Sequence, residues 1–201
     1  DVSYQHAISK RKDTYELRLK YGIPAKKRVF FCPARLLKLK GLDLFLKSAG
    51  KVKGISKACF LLAGEGPMKK ELQDIADKEN LDVHFMGYCN QDTVIEFYAL
   101  SDFFFLPSLQ DCNPLSAIEA AFAGLPLCVS IYTGNSPELI QPYKNGVVFD
   151  ILDTEEVQAC IYFLLNASEE WVSNAGRESL AIAQNSFACI NETKKFLAQL
   201  R

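Results

Sequence analysis

The stretch from Ser108 to Pro126 carries two carboxylates, Asp111 and Glu119, around the start of a helix with almost no charge. Asn113 is a good N-cap, Pro114 suits the first helical position, and Gly124 with Pro126 stops the helix, so the spacing predicts a helix from about Pro114 to Ala123. Its Leu, Ile, Phe and Ala side chains require burial. The uncommitted N–H groups of Leu115 and Ser116 form a positive end that draws anions. Glu119 lies one turn further in. A buried, unpaired carboxylate is costly, so Glu119 either meets an internal partner or receives a ligand that donates hydroxyls.

Arg35 and Lys40, separated by Leu-Leu-Lys-Leu, can converge on one diphosphate, Arg as a planar fork and Lys as a point charge. With the helix end at Leu115 and Ser116 they would stabilise charge building on a departing phosphate without a metal. The chain has no Asp-x-Asp. The competing reading makes Lys38, Lys40 and Lys47 ordinary surface lysines. Gly64-Glu65-Gly66-Pro67 resembles a dinucleotide fingerprint only weakly, because Lys69 stands in the third glycine's place; it reads as a close-approach turn. His84, inside a short strand, reads as a satisfied core histidine. Tyr88 either borders a nucleobase or packs.

The elements that must position these residues alternate. Short apolar runs predict strands at Arg28–Pro33, Ala58–Ala63, Asp82–Met86, Phe103–Leu106, Leu127–Ser130 and Val147–Phe149. Helices fit between them at Gly41–Lys53, Pro67–Glu79, Gln91–Leu100 and Pro114–Ala123, with a short turn at Pro137–Ile140. Thr154–Leu165, Glu169–Asn185 and Cys189–Leu200 then follow with no strand among them. This is an α/β, doubly wound parallel sheet, Rossmann-like, with a helical C-terminal tail. The expected division is a connector and helix over 1–27, the Rossmann-like unit over 28–150, and the tail over 151–201. In such sheets ligands gather outside the carboxyl ends of the strands, and the loops carrying Arg35, Lys40, Gly66, Gly87, Tyr88, Asp111 and Gly134 to Glu138 all leave that edge.

Composition sets the outer bounds. The chain has 201 residues, 49% hydrophobic and 23% charged, enough for one well-buried domain. No apolar run approaches the roughly 20 residues of a membrane span and no signal-peptide pattern opens the chain, so a cytoplasmic protein is expected. The chain starts on Asp1 rather than Met, which reads as a segment cut from something longer. Seven cysteines form no CxxC pair and read as reduced core residues; with only His6 and His84, no metal site is expected. Net charge is −1, yet residues up to Lys57 hold 15 Lys or Arg against 4 Asp or Glu, and the remainder 8 against 20. The first third therefore suits an anionic partner, either a phosphate-bearing ligand or peripherally a lipid surface, or it is a set of solvated faces. Nucleic acid is not among the expected partners.

Arg35-Leu36 with Lys40-Gly41, Leu62-Ala-Gly64-Glu-Gly66-Pro67, Phe85-Met-Gly87, Tyr98 to Asp102, Leu106-Pro107-Ser108, Asp111 to Glu119-Ala120, Gly124-Leu-Pro126, Pro137-Glu138 and Asn145-Gly146 occur in the order seen in glycosyltransferase family 4. The chain resembles the C-terminal, donor-binding half of such a retaining GT-B enzyme over nearly its whole length. The resemblance implies that Arg35 and Lys40 bind the donor diphosphate and that Glu119, second acid of the family's E-x7-E pattern, accepts from the ribose hydroxyls. It implies that Asp111 faces the transferred sugar and that backbone around Gly87 and Tyr88 borders the base of UDP or GDP. Gly66, Asn113, Leu115 and Ser116 complete the implied donor contacts. No cofactor is implied beyond the nucleotide-sugar donor itself. Two positions depart from the pattern: the first acid is Asp, one methylene shorter than Glu, and the common glycine of that loop is Pro114, which has no N–H to donate. The acceptor site in such enzymes belongs to an N-terminal domain that closes over the donor. The alternatives are a non-catalytic nucleotide-sugar-binding module and a related two-domain hydrolase or epimerase.

Overall fold

A computed structural model describes residues 14–187. The helix expected over Cys189–Leu200 lies outside the described residues, as does the start of the basic leading stretch, residues 1–13. Six strands form one sheet: β1 Arg28–Pro33, β2 Ala58–Ala63, β3 Val83–Gly87, β4 Phe103–Leu106, β5 Leu127–Ser130 and β6 Gly146–Phe149. All pairings are parallel, in the order β3-β2-β1-β4-β5-β6. The chain reverses direction across the sheet between β1 and β4, which opens a crevice at their carboxyl ends. The helices are α1 Thr14–Lys20, α2 Leu42–Ala49, α3 Lys69–Lys78, α4 Gln91–Leu100, α5 Leu115–Phe122, α6 Ser136–Leu139, α7 Thr154–Asn166 and α8 Glu169–Ser186.

The apolar strand runs are explained by helices on both faces. Phe30, Phe45, Phe60, Phe105 and Phe149 fill one side; Phe45 stacks on Phe105 at 4.7 Å between centroids, and Phe30 lies 5.4 Å from Phe60. On the other side Phe31 meets Phe97 at 5.7 Å and Tyr98 at 5.0 Å, both edge-on. That packing fixes the Tyr98 ring, and with it the direction of its hydroxyl. The tail helices fold back: α7 packs on α2 and β6, and α8 packs on α5.

Helix α1 is anchored by a buried arginine. Arg18 is 7% exposed. It donates to the Leu100 carbonyl from Nε and Nη2, to Ala25 and Lys27 carbonyls from Nη1, and pairs with Asp102 at 2.9 Å. Asp102 also accepts the Val29 N–H at 2.7 Å, so one ion pair joins the connector helix to the start of β1.

Two helices are shorter than their periodicity predicts. Helix α2 stops at Ala49 rather than Lys53, because Gly50 closes it against the α3 terminus, where a Cβ would meet the Glu79 side chain at 2.5 Å. Helix α3 begins at Lys69 rather than Pro67, its first helical bond running from the Leu72 N–H to the Met68 carbonyl at 2.9 Å, while the Met68 N–H reaches the Leu36 carbonyl at 3.1 Å and ties two rim loops together.

Candidate functional site

The loop after β1 crosses the crevice. On one side Ala34 donates to Ala63 and Leu36 to Glu65, both at 3.0 Å, which lays Arg35 beside the β2 end. On the other, the Leu109 N–H reaches the Leu39 carbonyl at 2.8 Å, which lays Lys40 beside the β4 end. Gly41 closes this turn at φ +63°, and a Cβ there would collide with the Pro107 carbonyl. Gly66 is required by the same packing, since a Cβ would strike the Leu36 backbone. The structure therefore accounts for Gly66 by loop contact.

Arg35 is exposed and makes no side-chain hydrogen bond or ion pair among the described residues. It lines a cleft of about 450 Å³ with Gly64, Glu65, Tyr88, Cys89 and Val94. Tyr88 is 87% exposed there, and its ring is open to stacking. Gly87 precedes it at φ +68°. Lys40 differs from Arg35: its ammonium is held by Asp111 at 2.5 Å, with side chains 20% and 18% exposed. Lys40 also lies near enough to the β1 end to offset slightly the burial that pushes the Cys32 thiol to about 12. The neighbouring lysines serve a different carboxylate, Lys38 at 2.6 Å and Lys47 at 3.8 Å from Asp43, so the surface-lysine reading holds for those two and fails for Lys40.

The Asp111 loop is stitched to the loop after β5. Asp111 N–H donates to the Tyr132 carbonyl at 3.1 Å, and Gly134 N–H to the Asp111 carbonyl at 2.8 Å. The Ser130 hydroxyl donates to the Ser108 carbonyl. The start of α5 departs from the expected cap: Pro114, at ψ 114°, is the N-cap, and no side chain caps the helix. The reason is long-range. Asn113 Oδ1 instead accepts from Asn135 Nδ2 at 3.0 Å, and the same Nδ2 reaches the Pro114 carbonyl at 3.1 Å. The Leu115 and Ser116 N–H groups find no protein acceptor among the described residues, so the positive end stands open toward the rim.

Glu119 has its internal partner. The Tyr98 hydroxyl lies 3.1 Å from Glu119 Oε2 and 3.0 Å from the Ser116 carbonyl, sharing one proton between two acceptors. Tyr98 and Asn135 are the two residues that sequence reasoning did not assign to the site. One group of three metal-capable side chains exists among the described residues, Cys59, Asp82 and His84, with ligand atoms within 4.8 Å of one another. It sits at the amino end of β2 and β3, away from the crevice, and Lys27 at 2.9 Å already neutralises Asp82. His84 hydrogen-bonds Asp82 at 3.0 Å, as a satisfied histidine should.

The arrangement thus joins an open guanidinium, a carboxylate-held ammonium, an uncapped helix end and a clamped acid along one rim. The model of the family described as "Glycosyl transferases group 1" matches residues 13–178. The chain belongs to this family. Among curated relatives, the N-acetyl-alpha-D-glucosaminyl L-malate synthase of Bacillus anthracis is 26% identical over 169 residues, 84% of this chain and 44% of the relative. The GDP-mannose-dependent alpha-(1-6)-phosphatidylinositol monomannoside mannosyltransferase of Mycobacterium tuberculosis is 28% identical over 175 residues, 81% of this chain and 45% of the relative. The chain spans less than half the length of these group 1 enzymes. Among solved structures, Anabaena Alr3699/HepE in complex with UDP and glucose superposes with a TM-score of 0.80 at 20% identity, over 94% of this chain and 52% of that one. The Rossmann-like architecture expected for a GT-B glycosyltransferase is therefore the one present. No helix among the described residues is long and apolar enough to cross a membrane.

Proposed function

We propose that this chain is the donor-binding half of a retaining glycosyltransferase that moves a sugar from a nucleoside diphosphate, UDP or GDP, to an acceptor hydroxyl. The observation that carries the reading is the grouping, along the carboxyl edge, of Arg35, Lys40 and the uncapped α5 end with two carboxylates behind them. Arg35 and the Leu115 and Ser116 amides bind the diphosphate and stabilise the negative charge that grows on it as the sugar departs, and Lys40 joins them, so that no metal is needed. Glu119, held by Tyr98, accepts from the ribose hydroxyls. Asp111 faces the sugar, and the cleft beside Tyr88 takes the base. Retention of anomeric configuration follows from the resemblance to family 4. The named relatives and the UDP-bound neighbour support a nucleotide-sugar donor.

The acceptor is bound by another part of the protein. Leu39, Leu115 and Ile131, each at least half exposed, line the rim that such a part would cover. The 201-residue chain alone is then inactive while still binding nucleotide. The proposal places this activity in the cytoplasm, and the basic first third permits peripheral contact with anionic lipid; flotation with phosphatidylglycerol vesicles that recovers no bound chain removes that contact. The function itself is tested by incubating the full protein that contains this chain with UDP-glucose and GDP-mannose and a panel of hydroxyl acceptors. A new glycoside of retained configuration, by mass and NMR, supports the proposal; release of free sugar or an epimerised donor instead rejects it.

A further inference from the structure

We infer that Asp111 makes this site discriminate between an intact sugar donor and a bare nucleoside diphosphate, by competing with the nucleotide for Lys40. The inference rests on the proposed donor site. The Lys40–Asp111 pair is built on fixed backbone at both ends. Lys40 is held by the Leu109-to-Leu39 hydrogen bond and by Gly41 packed on Pro107. Asp111 is held by its N–H on the Tyr132 carbonyl and by the Gly134 N–H on its own carbonyl. Both side chains are about four-fifths buried, so the contact is less screened than a pair of mobile surface groups. With no ligand present, the charge of Lys40 is already spent.

Two kinds of ligand meet this pair differently. A nucleotide sugar brings a diphosphate diester and several sugar hydroxyls. Its hydroxyls can donate to the acceptor sites of Asp111 that Lys40 leaves open, and the two remaining N–H groups of the ammonium can reach phosphate while the pair stays intact. A bare nucleoside diphosphate brings no such donors. Its terminal phosphate, with a second pKa near about 6, carries close to one further negative charge at neutral pH. That charge must either displace Asp111 from Lys40 or sit beside an unneutralised carboxylate, and both options cost affinity. Asp111 reaches Lys40 at 2.5 Å from an anchored loop, and what the role requires is its negative charge. The consequence is a site that holds its donor and yields the spent nucleotide, which limits inhibition by the nucleotide product.

Calorimetry tests this with UDP, GDP, UDP-glucose and GDP-mannose on the wild-type chain, Asp111→Asn and Asp111→Glu, each checked for an unchanged melting temperature. The affinity ratio of bare to sugar-bearing nucleotide, for whichever base binds, is the readout. Asp111→Asn should bind the bare nucleotide about fivefold tighter while binding the sugar nucleotide no tighter, and Asp111→Glu should keep the wild-type preference. A ratio unchanged in Asp111→Asn, or both ligands weakened alike, overturns the inference and leaves the donor site standing. Failure of the wild-type chain to bind any of the four overturns the donor site and this inference together.

Discussion

Removing the Tyr98 hydroxyl tests whether the clamp on Glu119 matters to binding. In Tyr98→Phe the ring keeps its edge-on contacts with Phe31, 5.0 Å between centroids, so the core is preserved. What is lost is one proton shared between Glu119 Oε2 at 3.1 Å and the Ser116 carbonyl at 3.0 Å. Glu119 is only half-buried, so water can replace the phenol, and the stability cost stays near 1 kcal/mol. Glu119 is also held less tightly for the ribose without the phenol, a cost in binding of up to about 1 kcal/mol, roughly fivefold in Kd. Urea melts measure the first quantity and calorimetry with UDP and GDP the second. A double-mutant cycle with Glu119→Ala isolates the coupling: in that background Tyr98→Phe should change nucleotide affinity little. Full additivity of the two changes, or a Tyr98→Phe variant that binds nucleotide as wild type does while Glu119→Ala fails, refutes the clamp.

Arg18→Ala strips four carbonyl contacts and leaves Asp102 without its 2.9 Å partner; a loss of about 3 to 5 kcal/mol in urea unfolding is expected, and a loss below 1 kcal/mol would show that α1 is not anchored this way. Asn135→Ala frees the Asn113 side chain and the Pro114 carbonyl; it should lower stability by about 1 to 3 kcal/mol and weaken nucleotide binding through a loosened α5 start, and a stable variant with unaltered affinity speaks against that link. Among the cysteines of the described residues, Ellman's reagent should modify exposed Cys112 first, with Cys32, Cys59, Cys128 and Cys160 reacting only on unfolding. Burial raises the Cys32 and Cys59 thiols from 9.0 to about 12, so the folded chain keeps protons that the unfolded chain releases. Stability that is intact below pH 9 should therefore fall as pH rises from 9 toward 12, by up to about 1.4 kcal/mol per pH unit for each such thiol; a flat denaturation midpoint over pH 8 to 10.5 contradicts it.

Much of the fold was legible because its signals are local. Runs such as Phe103–Leu106 and Ala58–Ala63 are too apolar and too short for anything but strands covered on both faces, and those boundaries match the predicted ones. The misplaced end of α2 has a tertiary cause, since Gly50 against Glu79 is a contact no periodicity reveals. The site shows the same division. That Arg35 and Lys40 share a rim follows from strand–loop order, whereas the ion pair between Lys40 and Asp111 joins residues 71 apart. The N-cap reading of Asn113 was sound by propensity and gave way to Asn135, whose amide arrives from another loop. Tyr98 opens a motif shared with the family but lies in the apolar run from Phe97 to Leu100, where a ring packs; only its hydroxyl, aimed at Glu119, marks it as part of the site.

Calorimetric titration of UDP and GDP into the wild-type chain, Arg35→Ala and Glu119→Ala measures directly whether the rim is an anion and ribose site. Saturable binding of at least one nucleotide, weakened by roughly ten- to a hundredfold in Arg35→Ala and clearly reduced in Glu119→Ala, is the predicted result. Binding that neither substitution alters would contradict it, since the nucleotide would then be held somewhere other than the crevice between β1 and β4.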